Sequence, residues 1–239
     1  MPRLNRPITD LERTLALQKA KRKVDMPSPL PSPLSLDTIA HLNLFLPQLE
    51  QAMQLRANAL ANQASTVNSI GPERNAVRKH IKHFIRVFNL GIERETFRPE
   101  DRGFYSLDIS SDQLPILRTD SALKQWAHNI ATGEQARTLA GGTPMAMPSA
   151  AEVAFQFNLL VPLLGELTTS KDNYDRSQQH VQDLRNEADL LIADIWDEVL
   201  FAYRKETPPS LRRKAHEYGV MYRPSGNTKT ANSALIQKI

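Results

Sequence analysis

Residues 149–222 read SAAEVAFQFNLLVPLLGELTTSKDNYDRSQQHVQDLRNEADLLIADIWDEVLFAYRKETPPSLRRKAHEYGVMY, and their reading decides the fold. Ser149 is placed to cap a helix. Its seam is Val153, Phe157, Leu160, Leu164, Leu167, Tyr174 and Val181, spaced by three, four and seven as one helical face requires. Leu184-Arg185-Asn186 reads as a reversal. A second helix then carries Leu191, Ile195, Val199 and Ala202 to the stop at Pro208-Pro209. A short basic helix, 211–218, and an extended exit complete the pattern.

Moved back by 114 residues, the same order of elements fits 35–106. Ser35 or Asp37 opens a long helix whose seam is Ile39, Leu42, Leu46, Leu49, Met53, Leu60, Val67 and Ile70. Gly71-Pro72 reads as its end and the start of the next helix, because Gly closes a helix and Pro suits a first helical position. Val77, Ile81, Phe84, Ile85 and Phe88 are the buried face of that second helix. The expectation is an all-α protein: a four-helix bundle built from two tandem, pseudo-symmetric hairpins, 35–106 and 149–222. Around them lie a basic N-terminal helix with a Pro-rich arm (1–34), a partly helical insert (107–148) and a polar tail (223–239).

Each hairpin sets a helix of about 34 residues against one of about 19, which leaves some 20 Å of the longer helix uncovered. That overhang is the most apolar part of the chain. Leu42, Phe45, Leu46 and Leu49 mark it in the first copy, and Phe155, Phe157, Leu160 and Leu164 in the second. Pro47 and Pro162 fall within it and are expected to kink or break the helix.

At the N-terminus Thr9 is a plausible cap, with Asp10 and Glu12 in the first turn and bases near the last. The apolar stripe of this helix, Leu11, Leu15 and Ala16, is thin. The four alternating prolines of MPSPLPSPL (26–34) predict an extended spacer holding the helix away from the body. In the insert, Thr119 or Asp120 caps a helix through Leu123, Trp126, Ala127 and Ile130, which Gly133 interrupts.

The composition is that of a folded chain: 239 residues, 41% hydrophobic and 23% charged. With no cysteine, disulfides and thiol chemistry are excluded. The N-terminus lacks a signal-peptide core and no run approaches the ~18 apolar residues of a membrane span. A cytoplasmic protein is therefore expected, with no membrane partner. The net charge of +4 is uneven, since residues 1–25 hold seven Lys/Arg against three acids and residues 204–239 hold eight against two. Basic ends flank an acidic middle.

No motif frames a catalytic residue, and no cofactor is implied. His80 and His83, aligned at the offset with Asp194 and Asp197, lie off the apolar faces and do not form the Glu-x-x-His pairs of a di-metal bundle. GGTP (141–144) lacks the spacing of a phosphate loop. Arg94, Arg98 and Arg102 form a basic patch after the first hairpin. Lys19, Lys21, Arg22 and Lys23, with Arg212, Arg213 and Lys214, are candidates for anion or nucleic-acid contact.

Several strings resemble a family of small, all-helical proteins from Bacteroidota-type bacteria that has no established activity. They are WAHN (126–129), AGGTPMA (140–146), IWDEV (195–199), YRKE (203–206) with Pro208, and RRKAHEYGV (212–220). The resemblance covers about 117–222. It implies a helical bacterial protein and supplies no catalytic residue.

The function expected is that of a non-enzymatic structural or assembly protein, a homo-oligomer forming a ring or filament. Its contacts would be the N-terminal arm, through Leu11 and Leu15, and the apolar overhangs. The alternatives are a nucleic-acid-binding accessory protein using the basic termini, and a ligand- or metal-binding bundle.

Overall fold

A computed structural model describes residues 3–28 and 31–223 of the chain. In order these form β1 (Arg3–Leu4), α1 (Asp10–Asp25), α2 (Leu36–Glu93), a 3₁₀ turn (Pro99–Tyr105), α3 (Asp120–Leu139), α4 (Ala150–Ala202), α5 (Pro208–Glu217) and β2 (Tyr222–Arg223). The all-α expectation holds, apart from one two-residue ribbon in which Arg3 faces Arg223 and Leu4 faces Tyr222. The tail expected after Arg223, and residues 29–30 of the Pro-rich segment, lie outside the described residues.

The caps are where the sequence places them. Ser149 Oγ accepts the Glu152 amide at 3.2 Å while Glu152 accepts the Ser149 amide at 2.9 Å. Ser35 Oγ accepts the Thr38 amide at 3.2 Å ahead of α2. Thr9 and Glu12 make the same reciprocal box for α1.

The two reversals are absent. α2 is a single helix of 58 residues through Gly71-Pro72, and α4 a single helix of 53 through Leu184-Arg185-Asn186. Neither Pro47 nor Pro162 ends its helix. A proline inside a helix frees the carbonyl four residues earlier, at about 3 kcal/mol. Here the freed carbonyls belong to Asn43, Asn68 and Asn158, all exposed, so water can accept the lost role. The prolines are exposed too, while Leu42, Phe45 and Leu46 near Pro47, Ile70 and Val77 near Pro72, and Leu160 near Pro162 are buried. Burial on the inner face outweighs the defect on the outer one. At 184–186 no glycine or proline stands in the way, and Leu184 packs against the core as a helical residue.

The chain divides into two compact units: 1–58 with 175–239, and 59–174. This partition cuts across both expected hairpins.

In the first unit Leu42, Phe45, Leu46 and Leu49 of α2 pack with Ala188, Leu191, Ile192, Ile195, Trp196 and Val199 of α4. α1 closes this core through Ala16, Leu17 and Ala20, so it is not held away from the body. The docked face shares only Ala16 with the expected stripe: Leu11 and Leu15 are exposed, and Thr14, Ala16, Leu17 and Ala20 are the buried residues.

In the second unit Val77, Ile81, Phe84, Ile85 and Phe88 of α2 meet Leu123, Ala127 and Ile130 of α3, and Val153 and Leu160 of α4. Gly133 does not interrupt α3. A Cβ there would lie 2.4 Å from the Phe104 carbonyl oxygen, so the glycine lets the 3₁₀ turn rest on the helix.

α4 also departs from the expectation about membrane spans. By length and composition it is apolar enough to cross a membrane, its best 18-residue window having a mean hydropathy of 1.2 and 11% of its residues buried.

Candidate anion-binding face

α1 buries Ala16, Leu17 and Ala20 and so turns Lys19, Arg22 and Lys23 away from the core. α5 begins at Pro208, whose missing amide is no loss in a first turn, and buries only Ala215. Arg212, Arg213, Lys214 and His216 are left partly or fully exposed. The exit from α5 then brings the two helices together. The Val220 amide donates to the Ala215 carbonyl at 3.2 Å, and Gly219 has φ +85°. A Cβ on Gly219 would lie 2.4 Å from the carbonyl oxygen of Ala16. Only glycine fits both the backbone angle and the approach. Beyond it, the Asn5 amide donates to the Met221 carbonyl at 2.9 Å and the ribbon of β1 and β2 follows.

The basic residues of α1 and α5, the described parts of the two ends, thus share one surface. A cleft of about 460 Å³ is lined by Lys19, Arg22, Lys23 and His216, with Met26 and Glu217. A second, of about 560 Å³, is lined by Lys23, Arg213, Lys214, Tyr203 and Tyr218 among others. Lys21 pairs with Asp25 at 2.5 Å, Lys23 with Glu217 at 2.5 Å and Lys214 with Glu206 at 2.6 Å. Lys19, Arg22, Arg212 and Arg213 form no ion pair among the described residues. Arg212 is near Tyr222, whose phenol burial pushes up and the guanidinium opposes. The Glu206 carboxyl is held low by Lys214 first, then Ser210. The second unit holds as many acids as bases, so the first carries the whole net charge of +4.

α1 is fastened to this unit by ion pairs as well as by its apolar face. Arg185 donates to Asp10 through Nε at 2.7 Å and Nη2 at 2.9 Å, and Arg56 Nη1 reaches the same carboxylate at 3.0 Å. Arg13 donates to Asp189 at 2.7 and 3.0 Å.

The residues expected to mediate self-association divide. Leu42, Phe45, Leu46 and Leu49 are core in the first unit and Leu160 in the second, so they offer no surface to a second copy. The uncovered overhangs require a turn in each long helix, and α2 and α4 are continuous there. Phe157 and Leu164 are partly buried. Leu11, Leu15 and Phe155 are exposed, Phe155 at 64%.

The second unit holds a polar cluster that sequence reasoning missed. Tyr105 donates its hydroxyl to Glu134. Arg137, 1% exposed, donates through Nε to the Tyr105 hydroxyl at 2.8 Å and through Nη2 to Glu134 at 3.0 Å and the Thr143 carbonyl at 2.7 Å. Glu134 also accepts the Met145 amide at 2.6 Å. The guanidinium lies 4.7 Å from the Phe97 ring centroid. Burial pushes the Tyr105 phenol far up, and the Glu134 carboxylate adds to it. The cluster binds the glycine-rich loop to α3 and opens to no cleft described above. Its one sequence signal is Glu134 and Arg137 three residues apart on a helix.

Arg102 is likewise structural: it is buried and donates to Asn89 at 2.6 Å and to the Ser111 carbonyl. Arg94 and Arg98 remain exposed. His80 Nδ1 lies 2.8 Å from the Ala76 carbonyl, and the described residues contain no group of three His, Asp or Glu placed to hold a metal. Trp196 is core and Trp126 partly buried. Comparisons with protein-family models, curated proteins and solved structures find no match.

Proposed function

We propose that the protein is a non-enzymatic binding protein whose first unit takes a polyanion, nucleic acid above all, on the face shared by α1 and α5. One observation carries the reading. Lys19, Arg22 and Lys23 converge with Arg213, Lys214 and His216 from the other end of the chain, and the carboxylates among them are already paired. Cations left over at such a surface gain by releasing the counterions of a phosphate backbone. An electrophoretic mobility series with DNA and RNA tests it. Binding should weaken steeply from low to physiological salt. Lys19→Glu with Arg22→Glu, both on the solvent side of α1, should abolish it. Unshifted nucleic acid at low salt would remove the proposal.

A second reading, self-association, draws on α4. Phe155, Leu159 and Val161 are exposed at 64%, 44% and 48%. Apolar side chains repeated along one helix favour burial against a partner surface. Sedimentation that is independent of concentration, and unchanged in Phe155→Asp, would dismiss it.

A further inference from the structure

We infer that the cleft lined by Lys23, Tyr203, Arg213 and Lys214 takes a nucleotide unit, an aromatic base carrying a phosphate. The inference rests on the polyanion reading and narrows it.

The cleft has two kinds of wall. Lys23, Arg213 and Lys214 supply three cations, two of them held in place by Glu217 and Glu206. Val24, Met26, Pro27 and Pro31 supply an apolar side, with Tyr203 and Tyr218 beside it. A bare phosphate would use the cations and leave the apolar wall wet. A purely apolar group would leave Arg213, the cation of the three that has no carboxylate partner among the described residues, without an anion. A nucleotide uses both, because its base is flat and apolar on its faces and its phosphate is anionic.

The volume, about 560 Å³, lies in the range of sites that enclose one small organic ligand. Tyr203 is only partly buried, so its ring can be reached, and the Lys214 ammonium lies 5.1 Å from that ring's centroid. Cation and aromatic face therefore stand together, as stacking of a phosphorylated base requires.

A double helix does not fit this description. Its bases are paired inward and its phosphates form the outer rail, so a base enters a cleft only from an unpaired strand or a free nucleotide. The neighbouring cleft of about 460 Å³ shares Lys23, Met26 and Glu217, the last paired with Lys23, and adds Lys19, Arg22 and His216. It continues the cationic surface past the first site, where the next phosphates of a strand would run.

The test is fluorescence anisotropy of the full chain with a labelled oligothymidylate. The competitors are a duplex of equal length, inorganic polyphosphate and a nucleoside 5′-monophosphate. The single strand should bind at least tenfold tighter than the duplex. Tyr203→Leu should weaken the strand by about tenfold, as loss of one stacked base does, and leave polyphosphate unchanged. Arg213→Glu, at an exposed position that does not threaten folding, should weaken strand and polyphosphate alike. Competition by the monophosphate at micromolar concentration would assign the cleft to a free nucleotide. Its failure to compete while the strand binds would assign the cleft to a strand. Equal binding of strand and duplex, with Tyr203→Leu silent, would overturn the nucleotide cleft and leave the polyanion reading standing. No binding of any of the four ligands at low salt would overturn both.

Discussion

Asp10 and Arg185 stand 175 positions apart in the chain and meet in a two-pronged hydrogen-bonded ion pair, 2.7 and 2.9 Å long. Arg56 shares the carboxylate, and the Asp10 side chain is only 9% exposed. α1 is therefore clasped as well as packed. Exposed pairs contribute ~0.2–1 kcal/mol and breaking a buried one costs ~3–5, so Asp10→Ala should cost about 1–2 kcal/mol. Trp196 in the first unit and Trp126 in the second are the two tryptophans. Single Trp→Phe backgrounds therefore let urea unfolding be followed in each unit separately. The loss should appear in the Trp196 signal.

The same carboxylate sets an acid dependence. Hydrogen bonds from Arg185 hold Asp10 below its ordinary 3.8; burial opposes them and Arg56 adds to the lowering. A depressed folded pKa means stability that is fully present above the unfolded value and lost as pH falls through the folded one. In Asp10→Asn that part of the acid slope should be missing. The difference from wild type should close as pH drops below 3.8. A constant difference down to full protonation would show that the charge contributes nothing.

Removal of residues 1–25 should expose Leu42, Phe45, Leu46 and Leu49 and unfold the first unit. A freely projecting arm could be cut without that effect. Circular dichroism and Trp196 emission would read the loss. Native emission from the truncated chain would contradict the docking of Leu17 and Ala20.

Glu134→Ala strands the Arg137 guanidinium in the interior of the second unit and should cost about 3–5 kcal/mol. Replacing both partners, with Arg137→Met and Glu134→Leu, should cost less than the single change, because no charge remains buried. Trp126 emission reports it. A single change milder than the double would mean that solvent reaches Arg137.

Two glycines should respond in opposite directions. Gly71→Ala lies inside α2 with nothing within 4 Å of the new methyl group, so it should stabilise by about 0.5–1 kcal/mol. Were 71–72 a turn, the same change would destabilise. Gly219→Ala meets the Ala16 carbonyl and should cost about 1–3 kcal/mol. Thermal melts of the two variants would separate the continuous helix from the hairpin.

The local chemistry of the fold was readable. Thr9, Ser35, Thr119 and Ser149 are caps because a short side-chain oxygen before an apolar period can do little else. The apolar seams were readable too, but not what lies between them. Gly71-Pro72 carries the strongest local signal for a turn, and only the exposure of Asn68 shows how a helix absorbs it. The spacer was misread for a related reason. Polyproline character says how a segment runs and not where its ends dock, and α1 docks through Leu17 with the small Ala16 and Ala20, while Leu11 and Leu15, the larger apolar residues of the expected stripe, stay exposed. The basic residues were identified, but their convergence was not, since it depends on Gly219 and on the pairing of Leu4 with Tyr222.

The second unit is one unbroken stretch of chain, 59–174, whereas the first is assembled from 1–58 and 175–239. During synthesis the second unit can therefore close while the N-terminal segment still waits for its partner. For the time it takes to translate the residues between them, Leu42, Phe45 and Leu46 face solvent or a chaperone. In the cell, the vulnerable species is the nascent chain that has not yet reached Val199.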